Sequence, residues 1–240
     1  MLEADARERV IIALDCSRER AIELAGQLEG RAKWLKVGMT LYYREGPDIV
    51  RAFKECGFNV FLDLKFHDIP HQVRGAACSA ALAGADLMSV HGLGSGAMLA
   101  ACREGAEEAA QTLGYRPRLV AITVLTSMDQ AALNEIGIAD TPAVEADRLA
   151  RLAVGNGIDG IVCSPQEAAA MRAALGPEAL IVTPGVRPAG AALGDQSRVA
   201  TPAAAIGAGA SHLVIGRPIT GAADPLAAYE AIVGELVSGA

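Results

Sequence analysis

Apolar residues recur along the chain in short blocks, each followed by a polar or glycine-bearing loop and then by helix signals. The repeat is about thirty residues, the length of one strand–helix–strand unit. Eight blocks read as strands: residues 10–14, 34–37, 60–64, 87–90, 119–124, 160–163, 180–183 and 213–215. Between them, Ser164-Pro165-Gln166-Glu167 reads as a capping box with proline at the first helical position. Thr141-Pro142, Thr201-Pro202 and Asp224-Pro225 are further cap-plus-proline starts. Gly57, Gly84 and Gly176 fall where the preceding helices should stop. No stretch reads as a linker. The pattern predicts an α/β chain, a single (β/α)8 TIM barrel spanning residues 1–240 as one catalytic domain. An open doubly wound sheet is the competitor, but no GxGxxG turn follows the first strand.

Composition narrows this picture without changing it. Hydrophobic residues make up 52% of the chain and glycine contributes 26 residues, which suits buried parallel strands closely covered by helices. The formal net charge of −7 argues against a nucleic-acid partner or an acidic membrane surface. Cys16, Cys56, Cys78, Cys102 and Cys163 are scattered and odd in number, with no CxxC spacing. Reduced thiols and a cytoplasmic location are expected, with neither a disulfide frame nor a zinc site. The charged N-terminus lacks the apolar core of a signal peptide, and no apolar run is long enough to span a bilayer.

One stretch concentrates the chemistry, NVFLDLKFHDIPHQV at residues 59–73. It begins as a strand, so Asp63 and Lys65 share one face while Leu62 and Leu64 take the other. Asp68 follows, ahead of Ile69-Pro70, where the chain should leave the extended region and start a helix. One Asp/Lys pair is ordinarily a surface ion pair of little consequence. Three such groups at one strand end, inside a hydrophobic run, mark a site instead. In a barrel, the C-terminal strand ends form the active site, and other reactive residues gather there. Asp15 follows strand one, Lys36 lies in strand two ahead of Gly38, and His91 ends strand four. Thr126 and Ser127 follow strand five, Ser164 strand six, Arg187 strand seven, and Gly216-Arg217 strand eight. A strand-end lysine often reaches out to solvent, yet apolar Leu35 and Val37 on its flanks should turn Lys36 into the barrel mouth.

The loops after strands seven and eight read TPGVRP and IGRPIT. Barrel enzymes commonly hold a phosphate there, with glycine admitting the backbone and arginine offering a planar fork of donors. Between these loops, residues 188–197 are glycine-rich without apolar periodicity, as expected for a mobile lid carrying Gln196.

Taken together, DLKFHDIP, ALD at 13–15, KVG at 36–38, LTS at 125–127, PGVRP, GDQ and IGRPIT resemble the orotidine 5′-monophosphate decarboxylase family. The resemblance covers nearly the whole chain, in order. It implies a homodimer with shared active sites that decarboxylates the nucleotide orotidine 5′-phosphate to UMP, the last step of pyrimidine nucleotide synthesis, without cofactor or metal. Carried over by position, it makes Lys65 the proton donor, with Lys36, Asp63 and Asp68 completing a charged array and Asp68 coming from the neighbouring subunit. Asp15 is expected at the ribose. Ile69 and Thr126 are expected to line the site, and Gln196 to reach the phosphate from the lid. Arg217, beside the Gly216 backbone, is expected to be the main phosphate cation, with Arg187 positioning that region. Many relatives read DIPNT where this chain has His71-Gln72, so the usual threonine contact passes to Gln72 or is lost. Sister enzymes acting on sugar phosphates share the DxK strand but use magnesium and do not continue into DIP. A non-catalytic phosphate-binding barrel would have no need to bury Lys65 with both aspartates. Barrels of tryptophan or histidine synthesis share the phosphate corner but not the third strand.

Overall fold

The computed structural model describes residues 1–188 and 200–239. Eight strands form a closed parallel barrel in chain order: β1 (Val10–Ala13), β2 (Trp34–Gly38), β3 (Asn59–Phe66), β4 (Leu87–His91), β5 (Arg118–Ile122), β6 (Gly160–Val162), β7 (Leu180–Pro184) and β8 (His212–Ile215). β1 pairs with β8 to close it.

Alternation along each strand sorts side chains into two cores. Ile12, Leu35, Val60, Leu62, Met88, Val90, Leu119 and Leu213 point outward into the layer between strands and helices. Ile11, Ala13, Phe61, Leu87, Val120, Val182 and Val214 point inward and fill the barrel. At the β6–β7 seam the strands approach closely: a Cβ on Gly160 would lie 2.0 Å from the Leu180 carbonyl oxygen.

The helix starts at Pro142, Pro202 and Pro225 are as expected, with Thr141, Thr201 and Asp224 each accepting the backbone N–H of the third residue of its helix. Gly57 and Gly84 have positive φ just beyond helices Asp48–Glu55 and Pro70–Leu82, and Gly176 ends Ala168–Leu175. The capping box is only half formed. The Glu167 carboxylate accepts the Ser164 N–H at 2.9 Å, but the helix begins later, at Ala168, and the buried Ser164 hydroxyl has no hydrogen-bond partner among the described residues. The simple one-helix repeat also breaks in places. A first helix, Glu3–Arg9, precedes β1. After β2 the chain forms Met39–Glu45 and Asp48–Glu55, separated where Gly46 adopts φ +68° and Pro47 starts afresh. After β5 it forms Gln130–Glu135 and Pro142–Gly155. Among the described residues no helix is long and apolar enough to cross a membrane.

Candidate active site

On the first four strands the apolar side chains that fill the barrel give way, two or four residues further on, to polar ones. β1 runs Ile11, Ala13, then Asp15 beyond its end, and β2 runs Trp34, then Lys36. β3 runs Phe61, Asp63, Lys65, and β4 runs Leu87, Ser89, His91. The charged layer therefore lies above a packed hydrophobic floor at the C-terminal ends of the strands, as expected.

Asp63 is its centre. The Lys65 ammonium stands 2.9 Å from Asp63 Oδ1, and the Lys36 ammonium 3.6 Å from Oδ2 and 3.1 Å from Asp15 Oδ1. The Lys36 and Asp63 side chains retain only 9% and 14% of their exposure, so Lys36 does turn inward rather than reach for solvent. An ion so enclosed is tolerable only when paired and hydrogen-bonded. Burial alone would raise the Asp63 carboxyl. The Lys36 and Lys65 ammonium groups, with hydrogen bonds from Lys65 and Ser89, outweigh it and hold the pKa below the usual carboxylate range. Gly38 leaves room for the array, since an added Cβ would lie 3.0 Å from Asp15 Oδ1 and 3.1 Å from Lys36 Nζ.

The β3 backbone is irregular where it carries these groups. Its register against β4 shifts between Leu62 and Phe66, and Lys65 has φ +54°. For a residue with a long side chain the left-handed region costs about 1–3 kcal/mol, and such strain persists only where neighbours enforce it. Leu64 meanwhile packs outward into the helix-facing core. The expected division of faces thus holds, although not through a regular strand. At the rim beside Lys65, His67 and His91 stack with ring centroids 5.1 Å apart. Burial lowers the His91 pKa, and His67 and Lys65 add to the effect.

The mouth encloses a cavity of about 430 Å³. Asp15, Lys36, Asp63 and Lys65 line one wall, and Thr126, Arg187, Gly216 and Arg217 line another. Phe61, Ile122, Val162 and Val214 form the apolar base between them. β3 and β7 stand opposite each other in the closed order of eight, so the charged array and the arginine corner face across the opening. Arg187 Nη1 donates to the Val186 carbonyl at 2.9 Å, and the short helix Arg217–Thr220 starts at Gly216.

Three expected residues are not brought into this cavity. Asp68 is exposed beyond β3, where its carboxylate accepts the Ile69 N–H at 2.6 Å, and it makes no ion pair with Lys65 of its own chain. Ile69 is 63% exposed, and Gln72 lies exposed in the first turn of Pro70–Leu82. Gln196, with nearly all of the glycine-rich segment, lies outside the described residues. Sequence reasoning missed Ser89 and Thr220. Thr220 lines the cavity at the end of IGRPIT, and the fully buried Ser89 hydrogen-bonds to both β3 residues of the array. The available signal was its place two residues before His91 on the inward face of β4. Among the described residues no group of three or more His, Cys, Asp or Glu side chains is arranged to hold a metal ion.

The Orotidine 5′-phosphate decarboxylase / HUMPS family matches residues 8–232. The chain belongs to this decarboxylase family. A protein of Nitrosococcus oceani named orotidine 5′-phosphate decarboxylase is 51% identical over 96% of this chain and 98% of its own length. One of Anaeromyxobacter sp. with the same name is 53% identical over 95% and 98%. Among solved structures, orotidine 5′-phosphate decarboxylase from Lactobacillus acidophilus superposes with a TM-score of 0.85 at 37% identity, covering 95% of this chain and 98% of the other. These decarboxylase relatives extend over the whole barrel, including every strand that contributes to the mouth.

Proposed function

We propose that this chain, acting as one catalytic domain over residues 1–240, decarboxylates orotidine 5′-phosphate to UMP without metal or cofactor, with Lys65 as the proton donor. The observation that carries the reading is the alternating series Lys36–Asp63–Lys65 on one wall of a cavity whose other wall carries Arg187 and Arg217. Loss of CO2 leaves electron density on a pyrimidine carbon with no carbonyl placed to delocalise it. A preorganised ammonium stabilises that charge as it forms and then protonates the carbon. Lys65, paired with Asp63 at 2.9 Å, would perform both tasks. Asp63 would face the substrate carboxylate. At an effective dielectric of 20, two like charges 4 Å apart repel by ~4 kcal/mol, and that repulsion leaves with CO2. The arginine corner would hold the phosphate, with the Gly216 backbone beside Arg217, while Asp15 and Thr126 contact the ribose and the base side. Gln196, outside the described residues, is assigned to the same phosphate on this reading.

The test is turnover of orotidine 5′-phosphate in excess chelator, followed by the absorbance change on conversion to UMP. Full activity is expected. Loss on chelation would point to the magnesium-dependent sugar-phosphate branch.

The same reading assigns Asp68 to the neighbouring subunit of a homodimer. Met39 and Tyr43, Ile69 and Leu93, all exposed and apolar, lie on the segments after the neighbouring strands β2, β3 and β4, with Ile69 directly following Asp68, which supports a second copy as the partner. Ile69 and Gln72 would then meet the substrate at that boundary. Refolding Lys65→Ala with Asp68→Ala chains together should restore about a quarter of wild-type activity, because half the dimers are mixed and each mixed dimer holds one intact site. No recovery after verified subunit exchange would place both residues in the same subunit's site.

A further inference from the structure

The irregularity in β3 meets β4 at one residue. The register pairs Leu62 with Met88 and Phe66 with Val90, so four steps along β3 correspond to two along β4. Asp63, Leu64 and Lys65 therefore stand opposite Ser89 alone. Where a strand swells in this way the ladder is interrupted, and backbone groups in the swelling need other partners. Ser89 supplies one. Its hydroxyl oxygen accepts the Lys65 N–H at 2.9 Å and its proton goes to Asp63 Oδ1 at 2.8 Å. One hydroxyl can donate once and accept twice, so a single atom ties the backbone of one residue to the carboxylate of the other. The Lys65 ammonium closes the circuit on the same Oδ1 at 2.9 Å.

We infer that Ser89 is a positioning residue of the proposed decarboxylation, holding Lys65 in its left-handed backbone conformation and fixing the rotation of the Asp63 carboxylate. The inference rests on the reading of the mouth as the decarboxylase centre. Ser89 is fully buried and does not line the cavity, so it acts through the two residues it binds. With Oδ1 occupied by Ser89 and Lys65, Oδ2 is the oxygen left toward Lys36. Without the hydroxyl, the Lys65 N–H loses its acceptor, the strained backbone loses a restraint, and the carboxylate can turn. Misplacing a reacting group by about 1 Å costs on the order of a hundredfold in rate.

The groups facing Asp63 are Lys36 from β2, Lys65 from its own strand and Ser89 from β4, with Asp15 beyond Lys36 and His67 and His91 beside Lys65. Ser89 is one of the groups that hold Asp63 in its ionised form, so its removal also shifts the acid limb of the pH profile upward.

The experiment compares wild type with Ser89→Ala, which deletes the hydroxyl, and Ser89→Thr, which retains it. With orotidine 5′-phosphate as substrate, Ser89→Ala should lower kcat on the order of a hundredfold with little change in KM. It should also raise the acid limb of kcat/KM, and Ser89→Thr should recover most of the rate. Hydrogen exchange at the Lys65 amide should accelerate in Ser89→Ala whether or not substrate is present. If Ser89→Ala does not fold, Ser89→Cys replaces it, with a similar volume and a much weaker donor and acceptor. A kcat within twofold of wild type, or an unchanged Lys65 amide exchange rate, would overturn the positioning role. A wild-type protein that does not turn over the nucleotide would overturn the functional reading instead, leaving the exchange result to judge Ser89.

Discussion

The two ends of the barrel use charge in opposite ways. At the floor, the residue just before each even strand from β4 onward captures an N–H of the preceding odd strand. Asp86 takes the Val60 N–H at 2.7 Å, Asp159 the Leu119 N–H at 2.8 Å, and the Ser211 hydroxyl the Ile181 N–H at 3.1 Å. Each capturing residue also meets a cation. Lys54 pairs with Asp86 at 2.8 Å, Arg116 with Asp159 at 2.6 Å, and Arg172 donates to Ser211 at 2.9 Å while binding carbonyls of Gly176, Pro177, Ala179 and Gly209. Charge at the floor is spent on strand ends, which makes it structural. At the mouth, the Lys36–Asp63–Lys65 series borders an open cavity and sits on an irregular strand. The same residue types serve stability where they face backbone and, on the proposed reading, chemistry where they face space.

That contrast can be broken at either end. The largest effect is expected from Lys65→Ala, which should abolish turnover while leaving the fold and its unfolding midpoint nearly unchanged, because Lys65 is partly exposed at a rim. Measured kcat within tenfold of wild type would remove it from the proton-donor role. Next comes Arg217→Ala. It should lower kcat/KM for orotidine 5′-phosphate by on the order of a hundredfold or more, with little loss on the phosphate-free nucleoside. Equal losses on both substrates would place its action elsewhere.

Floor substitutions should reverse the pattern. Asp159→Ala leaves the Leu119 N–H and the Arg116 guanidinium without their carboxylate, at a cost of about 2–4 kcal/mol in denaturant unfolding and no change in kcat. A drop in kcat without a drop in stability would dissolve the distinction between the two ends. The narrowest effect, confined to acid pH, concerns His212, which packs edge-to-face with Trp34 at 5.8 Å between ring centroids and whose buried Nδ1 has no hydrogen-bond partner among the described residues. Burial, reinforced by Arg9 and Arg118, lowers its pKa from 6.5 to about 4. The unfolded chain therefore takes up the proton first. Stability from the neutral ring is complete above about pH 6.5 and is lost as pH falls toward 4, by up to about 3 kcal/mol. His212→Gln should flatten stability across that window, and an unchanged slope would assign the acid lability to other groups.

The contrast also explains which features the sequence displays. The strands are legible because both their faces are buried, so runs such as Val60–Leu62 and Leu119–Ile122 carry an apolar signal unbroken by turns. Helix starts at Thr141, Thr201 and Asp224 are legible because cap and proline act locally. Lys36, Asp63 and Lys65 stand out because charge is rare in such runs. Ser89 does not, since a lone serine between Met88 and Val90 looks like any other, and its role arises from a register shift that only pairing with β3 creates. The left-handed Lys65 is hidden for the same reason. The doubled helices after β2 and β5 are missed because a repeat of strand, loop and helix predicts only one per unit. The stretch from Ser164 to Glu167 carries the right letters for a capping box, yet the glutamate alone makes the contact, and the helix starts after it.

The surplus in β3 has a further consequence, and it is one of parity. Asp86 fixes the position from which β3 and β4 begin to count, and by Phe66 the count on β3 has run ahead by two. An even surplus returns every later side chain to its own face. A surplus of one would send the lysine out among the helices and bring Leu64 in over the cavity. In this barrel the charged wall stays on the cavity side because the strand gains its residues in a pair.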